Sequence, residues 1–191
     1  MRSRIVPCIV AAACAASLAC GRGGDPDHPL GRVLLDTAPR GYERVEGPSG
    51  PMDLDLASRA TTIGPATLRP HLSRTGFQEG YSRVWQREQE TLALLVFDFI
   101  SAQRAGEMVE LHERELGRLR NVQPFEVGRI EGARGFTVNA TKPRSSEPWF
   151  CQIVVFAVET KAFEVRSCSE QPLSADEVQR LARDQARRAA A

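Results

Sequence analysis

Two apolar runs, Trp149 to Val158 and Lys161 to Ser169, flank Glu159-Thr160, and no other stretch of this 191-residue chain restricts its fold so tightly. Runs rich in Val, Ile and Phe on either side of a short polar break read as a β-hairpin. A two- or four-residue loop centred between Glu159 and Thr160 sets the register and places Cys151 directly opposite Cys168. Opposed residues at a non-hydrogen-bonded position bring their Cβ atoms to about 4.5 to 5.5 Å, near enough for a disulfide after small adjustment. The same register opposes Val154 to Val165 and Phe156 to Phe163, an apolar face, while the other face is mixed, with Ile153 opposite Arg166 and Val155 opposite Glu164. A slip of one residue would turn every side chain over.

A disulfide needs an oxidising compartment, and the start of the chain supplies the address. Arg2 and Arg4 precede an apolar run from Ile5 to Ala16, and Ser17-Leu18-Ala19-Cys20-Gly21 follows. Small residues before a cleavage point are what a signal peptidase reads. The string resembles a bacterial lipoprotein lipobox, with Ser17 where the preferred pattern has Leu, and Cys20 is then the acylated first residue of the mature chain. The apolar run is short against the roughly 20 residues that a membrane helix needs. The five cysteines are an odd number for an exported protein. Cleavage explains it: Cys8 and Cys14 leave with the leader, Cys20 carries lipid, and Cys151 and Cys168 are the pair left to oxidise.

With 25 basic and 24 acidic residues, and Arg2 and Arg4 leaving with the leader, the mature chain is close to neutral. Nothing in that balance makes a case for nucleic acid, which asks for a clustered basic face. Residues 1–19 are expected to be the lipoprotein signal peptide. Residues 20–40, rich in Gly and Pro apart from the patch Val33-Leu34-Leu35, read as a flexible tether. A single α+β domain is expected over 41–188.

Within it, one or two short helices break at Gly64-Pro65, where Pro suits a first helical position. Gly76 ends the second, and Glu79 to Arg87 and Thr91 to Ile100 read as a strand pair, the latter apolar enough to be buried on both faces. Ser101 can cap a helix reaching about Arg120, with Ala105, Val109, His112, Leu116 and Leu119 in one stripe. Gly132-Ala133-Arg134-Gly135 reads as a turn into a strand from Phe136 to Thr141. A last helix starts at Ser174, which forms a capping box with Glu177, while Leu173 and Val178 form a hydrophobic staple. Its stripe is Val178, Leu181, Ala182 and Gln185. The sum is an antiparallel sheet of about five strands sandwiched between helices.

No catalytic constellation stands out. His112-Glu113 opens as a helical zinc-protease motif does, but the second His would stand at 116, which is Leu. His28 and His71 lie on other segments, so no metal site is expected. There is no Gly-x-Ser-x-Gly elbow, no strand-linked Gly-rich phosphate loop and no cofactor signature. Cys151 and Cys168 lack the spacing of a redox pair and read as structural. Tyr81, Trp85 and Trp149, with Phe150, are candidate ligand or partner contacts; core packing is the plainer reading of the same rings.

Gly41-Tyr42, Gly76-Phe77 with Gly80-Tyr81, Arg83 and Trp85, the strand Val96-Phe97-Asp98-Phe99, and Ala133-Arg134-Gly135-Phe136 together resemble a pattern of uncharacterised actinobacterial lipoproteins. The order of elements resembles the PsbP-type α/β/α sandwich, to which LpqN-type lipoproteins are also similar. That resemblance implies a fold and no activity.

The expected function is that of a membrane-anchored extracytoplasmic lipoprotein acting as a non-enzymatic binding or assembly module, its partner an envelope protein. A carrier of a lipid or other apolar small molecule is the alternative, and a hydrolase with a site assembled from distant residues is the second alternative. Since one acyl chain holds a protein only marginally and two hold it stably, Cys20→Ala is expected to move the protein from the membrane to the soluble fraction or to stall its processing. Fractionation with mass spectrometry of the N-terminal peptide reads the outcome; a processed, membrane-bound mutant contradicts it.

Overall fold

The strand Glu90–Phe99 alternates its side chains between two covered faces: Leu92, Leu94 and Val96 enter one apolar cluster, and Leu95, Phe97 and Phe99 enter another. That is how a near-continuous apolar run becomes a central strand. In the computed structural model of the chain, which describes residues 27–141, 147–171 and 174–191, helices cover both sides of one antiparallel sheet.

In chain order the elements are α1 (Pro29–Val33), β1 (Glu43–Arg44), β2 (Gly50–Met52), α2 (Leu54–Ala60), α3 (Pro65–Arg74), β3 (Phe77–Arg87), β4 (Glu90–Phe99) and α4 (Ala102–Leu116). There follow β5 (Val122–Phe125), β6 (Arg134–Thr141), β7 (Pro148–Val158), β8 (Lys161–Ser169) and α5 (Ala175–Ala189). The strand order is β1-β3-β4-β8-β7-β6-β5, with β2 also pairing with β3. The sheet therefore has eight strands rather than about five. The additional ones are the short strands β1, β2 and β5, and two of them contain a proline, Pro51 or Pro124. Proline lacks the ladder donor and is tolerated at sheet edges, so these strands carry little strand signal in sequence.

The β7–β8 hairpin has the expected register: Cys151 faces Cys168, Val154 faces Val165, and Phe156 faces Phe163. The two phenyl rings stack with centroids 5.1 Å apart. Cys151 and Cys168 form a disulfide with their Cα atoms 4.1 Å apart, the close approach typical of a non-hydrogen-bonded antiparallel pair. Residues 154, 156, 163 and 165 lie under α5, which presents Val178, Leu181 and Ala182 to them. The disulfide lies on the opposite face, in a cluster with Val109 and Leu116 of α4.

Helix α4 starts where Ser101 accepts a hydrogen bond from the Arg104 amide and ends at Leu116, capped by Gly117, rather than near Arg120; Ala105, Val109, His112 and Leu116 of its stripe are buried, while Leu119, past its end, packs partly buried against the same cluster. Helix α5 starts at Ser174, which accepts from the Asp176 amide; Leu173, the other half of the expected staple, lies outside the described residues.

The segment expected to be a tether to residue 40 is folded in its described part. Leu30 and Leu34 are buried in the core with Val33, Leu35 and Ala38 packed against it. So short a helix cannot hold itself together in water; tertiary contacts do it. Pro29 occupies the first turn, and His28 Nδ1 accepts from the Leu30 amide. At the other end the buried Arg83 guanidinium donates to the Gly31, Leu34 and Leu35 carbonyls at 2.9, 3.0 and 2.6 Å. Gln185 of α5 completes the attachment, accepting from the Leu35 amide and donating to the Val33 carbonyl.

Replacing Cys151 and Cys168 by Ser is expected to lower unfolding stability by about 2 to 5 kcal/mol while Phe156 and Phe163 keep their stack. Denaturant unfolding of wild type with and without reductant, beside the double mutant, checks this. A reduced wild type as stable as the oxidised one would remove the disulfide from the account.

Candidate functional site

The mixed face of the β7–β8 hairpin places a glutamate under a helix. Glu164 projects from β8 toward α4, and both it and His112 are about 1 % exposed. His112 Nε2 lies 2.9 Å from Glu164 Oε2, and its Nδ1 lies 2.9 Å from the Met108 carbonyl oxygen. A carbonyl oxygen can only accept, so Nδ1 donates; an ionised carboxylate can only accept, so Nε2 donates as well. The second carboxylate oxygen is 3.1 Å from Arg166 Nη1 and accepts from Thr62 Oγ1 at 3.3 Å. Arg166 also donates to the Ala60 carbonyl and to Thr62 Oγ1. One carboxylate thereby joins β8, α4 and the turn between α2 and α3.

Burial, the largest influence on Glu164, pushes its carboxyl up, but the Arg166 charge, the His112 hydrogen bond and charge, and the Thr62 hydrogen bond together outweigh it and hold the group below its ordinary value of 4.5. His71, on α3, differs: burial pushes it down, the nearby Glu107 carboxylate offsets this in part, and its Nε2 is buried without a partner.

A histidine held by a carboxylate is the core of many acid–base sites, but acid–base work needs a substrate atom within hydrogen-bond reach. Here the gap bounded by Phe97, Met108, His112, Val155, Phe163 and Glu164 has no room for a water molecule. The arrangement can fasten layers together; it cannot receive a substrate as it stands. Among the described residues no group of three or more His, Cys, Asp and Glu side chains could hold a metal ion.

An open concavity lies at the far end of the sheet. Edge strand β5 and the connection into β6 surround a hollow of about 490 Å³ lined by Pro124, Phe125, Glu126, Val127, Gly128, Ala133 and Arg134. Its base is fixed by the absence of a side chain: a Cβ on Gly135 would come within 2.3 Å of the Phe125 ring, so only glycine lets that ring lie on the strand. Arg134 donates to the Gly132 and Ala133 carbonyls and pairs at 3.0 Å with Glu113 of α4, securing the rim. Pro124 removes a donor from the edge strand and so discourages strand addition there. The sequence marks Gly132 to Gly135 as a turn but gives no sign of β5, so the concavity is visible only in three dimensions.

The aromatic candidates are not brought together in a cleft. Tyr81 and Trp85 are 0 % and 2 % exposed, in the core beneath α1 and α5; they are packing residues, because the face of β3 that carries them is covered. Trp149 is half-buried beside the disulfide cluster, and Phe150 is half-buried too. Cys20 and the signal peptide lie outside the described residues. Among those described, no helix is long and apolar enough to cross a membrane.

No protein-family model matches the chain, and no curated protein does. Among solved structures, the fold is similar to the extracellular domain of PknH from Mycobacterium tuberculosis, with a TM-score of 0.53 and 14% sequence identity over 87% of this chain and 99% of that one. At that identity the likeness is one of fold.

Glu164 is ionised in the folded protein with its pKa depressed, so its contribution to stability is full above pH 4.5 and is lost as pH falls through the folded value. His71 is also depressed; as a base kept neutral by folding it loses stability as pH falls from 6.5. Acid unfolding is therefore expected to begin near His71's ordinary value and steepen below that of Glu164. Glu164→Gln, which leaves Arg166 and His112 facing a neutral amide, is expected to cost about 3 to 5 kcal/mol at neutral pH and to flatten the second stage. Urea midpoints across pH for wild type, Glu164→Gln and His71→Gln measure both; an unchanged acid limb in Glu164→Gln would contradict the assignment.

Proposed function

We propose that the chain is a lipid-anchored extracytoplasmic domain that binds a partner in the cell envelope and catalyses no reaction. The observation that carries the binding role is the contrast between its two concave features. The pair with acid–base potential is enclosed without room for water, whereas the hollow beside β5 is open, lined by apolar and polar side chains, and floored by Phe125 packed against Gly135. A volume of about 490 Å³ falls in the range of sites that take a small molecule or the side chains of a peptide. Phe125, Val127 and Ala133 offer apolar contact, with Glu126 and Arg134 to orient a polar group.

Extracytoplasmic placement is supported by the reading of residues 1–19 as a signal peptide before Cys20 and by the Cys151–Cys168 disulfide. The fold shared with an extracellular domain accords with it, as does the resemblance to LpqN-type lipoproteins with a PsbP-type sandwich. The tight contact between α4 and the sheet favours a binding module over a carrier, which would enclose its cargo.

A photo-crosslinking residue at position 126, on the rim, is expected to capture a defined envelope partner in intact cells, and one at position 59, on α2, is not. Val127→Arg should abolish that capture while leaving the thermal midpoint within a few degrees. Capture that is equal from both positions, or that survives Val127→Arg in a folded protein, would move the binding role away from the hollow.

A further inference from the structure

The outward side of α5 carries a row of arginines. Val178, Leu181, Ala182 and Gln185 face the sheet, so Arg180, Arg183 and Arg187, spaced three and four apart, fall on the opposite side of the helix. Arg187 pairs with Asp184, whereas Arg180 and Arg183 have no ion-pair or hydrogen-bond partner among the described residues. Most other arginines do: Arg87 pairs with Glu90, Arg104 with Glu107, Arg134 with Glu113 and Arg166 with Glu164. The carboxylates Asp176 and Glu177 sit in the first turn of α5, leaving its C-terminal half cationic.

A row of arginines on a helix is by itself only a solvated face. What gives this one a direction is where the chain arrives. Helix α1 is fastened to the C-terminal half of α5: Gln185 bonds to Val33 and Leu35, and Arg188 Nε donates to the Arg32 carbonyl at 3.0 Å. The described chain starts at Asp27, just before α1. From Cys20 to Asp27 seven residues span at most about 25 Å. An acyl chain on Cys20 therefore holds α1, and with it the C-terminal half of α5 to which α1 is bonded, within about 25 Å of the bilayer.

We propose that the Arg180, Arg183 and Arg187 face of α5 is a docking surface for an anionic phospholipid bilayer, which would lay the domain on the membrane by this helix. The proposal rests on the reading of Cys20 as the lipid-bearing residue. Tethering supplies proximity, and the guanidinium groups, which pair bidentately with phosphate oxygens, supply orientation. Such a surface acts within a Debye length, about 8 to 10 Å at physiological salt, a distance that the short connection allows the helix to close.

All elements of the described residues lie between 29 and 189, so the chain from residue 20 with Cys20→Ser contains every one of them and cannot be acylated there. It is expected to sediment at low salt with vesicles of phosphatidylcholine containing phosphatidylglycerol, not with phosphatidylcholine alone, and to be released as salt is raised. Each arginine at an anionic surface strengthens binding about fivefold, so Arg180→Gln, Arg183→Gln and Arg187→Gln together should weaken it on the order of a hundredfold. Arg59→Gln with Arg74→Gln, on α2 and α3, should leave it unchanged. Circular dichroism confirms folding of each variant, and the pair Arg180→Gln with Arg183→Gln, which touches no ion pair, repeats the test should the triple variant unfold. Equal binding to both vesicle types, no binding to either, or equal loss in the α2–α3 variant would overturn the proposal; no binding would leave α5 as a face for an acidic protein instead. Mass spectrometry of the native N-terminal peptide decides separately whether Cys20 is acylated.

Discussion

The Glu164 carboxylate is the interaction on which one whole layer of this structure depends. It stands on a central strand, under a helix, in surroundings that are otherwise Leu, Phe, Met and Val. Left alone there it would be protonated or would keep the helix away. With His112 above it, Arg166 beside it and Thr62 reaching in from the α2–α3 turn, it remains charged and draws three separate elements to one point. An apolar side chain of similar volume could stabilise the same interface as well or better, but it would not discriminate between registers of α4 on the sheet. A hydrogen-bonded ion accepts one placement of the helix, because a shift of one residue removes the imidazole from the carboxylate.

The two faces of the sheet are built on different terms. Beneath α1 and α5 the contacts are mainly rings and branched aliphatics, with the stacked Phe156 and Phe163 at the middle, and hydrogen bonds fasten both ends of α1. Beneath α2, α3 and α4 an apolar cluster surrounds a polar centre, with the disulfide set toward the β7 side. The hairpin β7–β8, like β4 beside it, contributes to both faces, so a slip in its register would disturb both layers at once.

Much of this was legible in the order of residues. The hairpin register follows from loop length and from apolar alternation, and both terminal helices of the β-rich half announce themselves through Ser101 and Ser174 as caps and through a stripe at helical spacing. What stayed hidden has two physical causes. Short edge strands such as β1, β2 and β5 form because longer neighbours offer them unpaired hydrogen-bonding groups, and Pro51 and Pro124 blur what local preference they have. Long-range polar contacts leave no local mark: the sequence places Glu164 on a mixed strand face with no sign that α4 covers it, and it sets Arg83 within a motif with no sign that the carbonyls of α1 are its partners. For Tyr81 and Trp85 the plainer of the two sequence readings, core packing, is what their burial matches. Tyr81 and Trp85 suggest a cleft by type, and only the presence of α1 and α5 over β3 makes them core. The hollow at β5 belongs to the first cause, since its floor is an edge strand.

The order of the strands bears on how the chain comes to be folded. Strand β8 is the last of the sheet to be synthesised, yet it lies between β4 and β7, near the centre. Until it is available, β4 has an unsatisfied edge and the two halves of the sheet cannot meet, so neither half closes its core on its own. Contacts of such long sequence separation make folding slow and late. In a chain arranged in this way the two halves become one sheet only when the β7–β8 hairpin is in place, so the last hairpin completes both layers of the core at once.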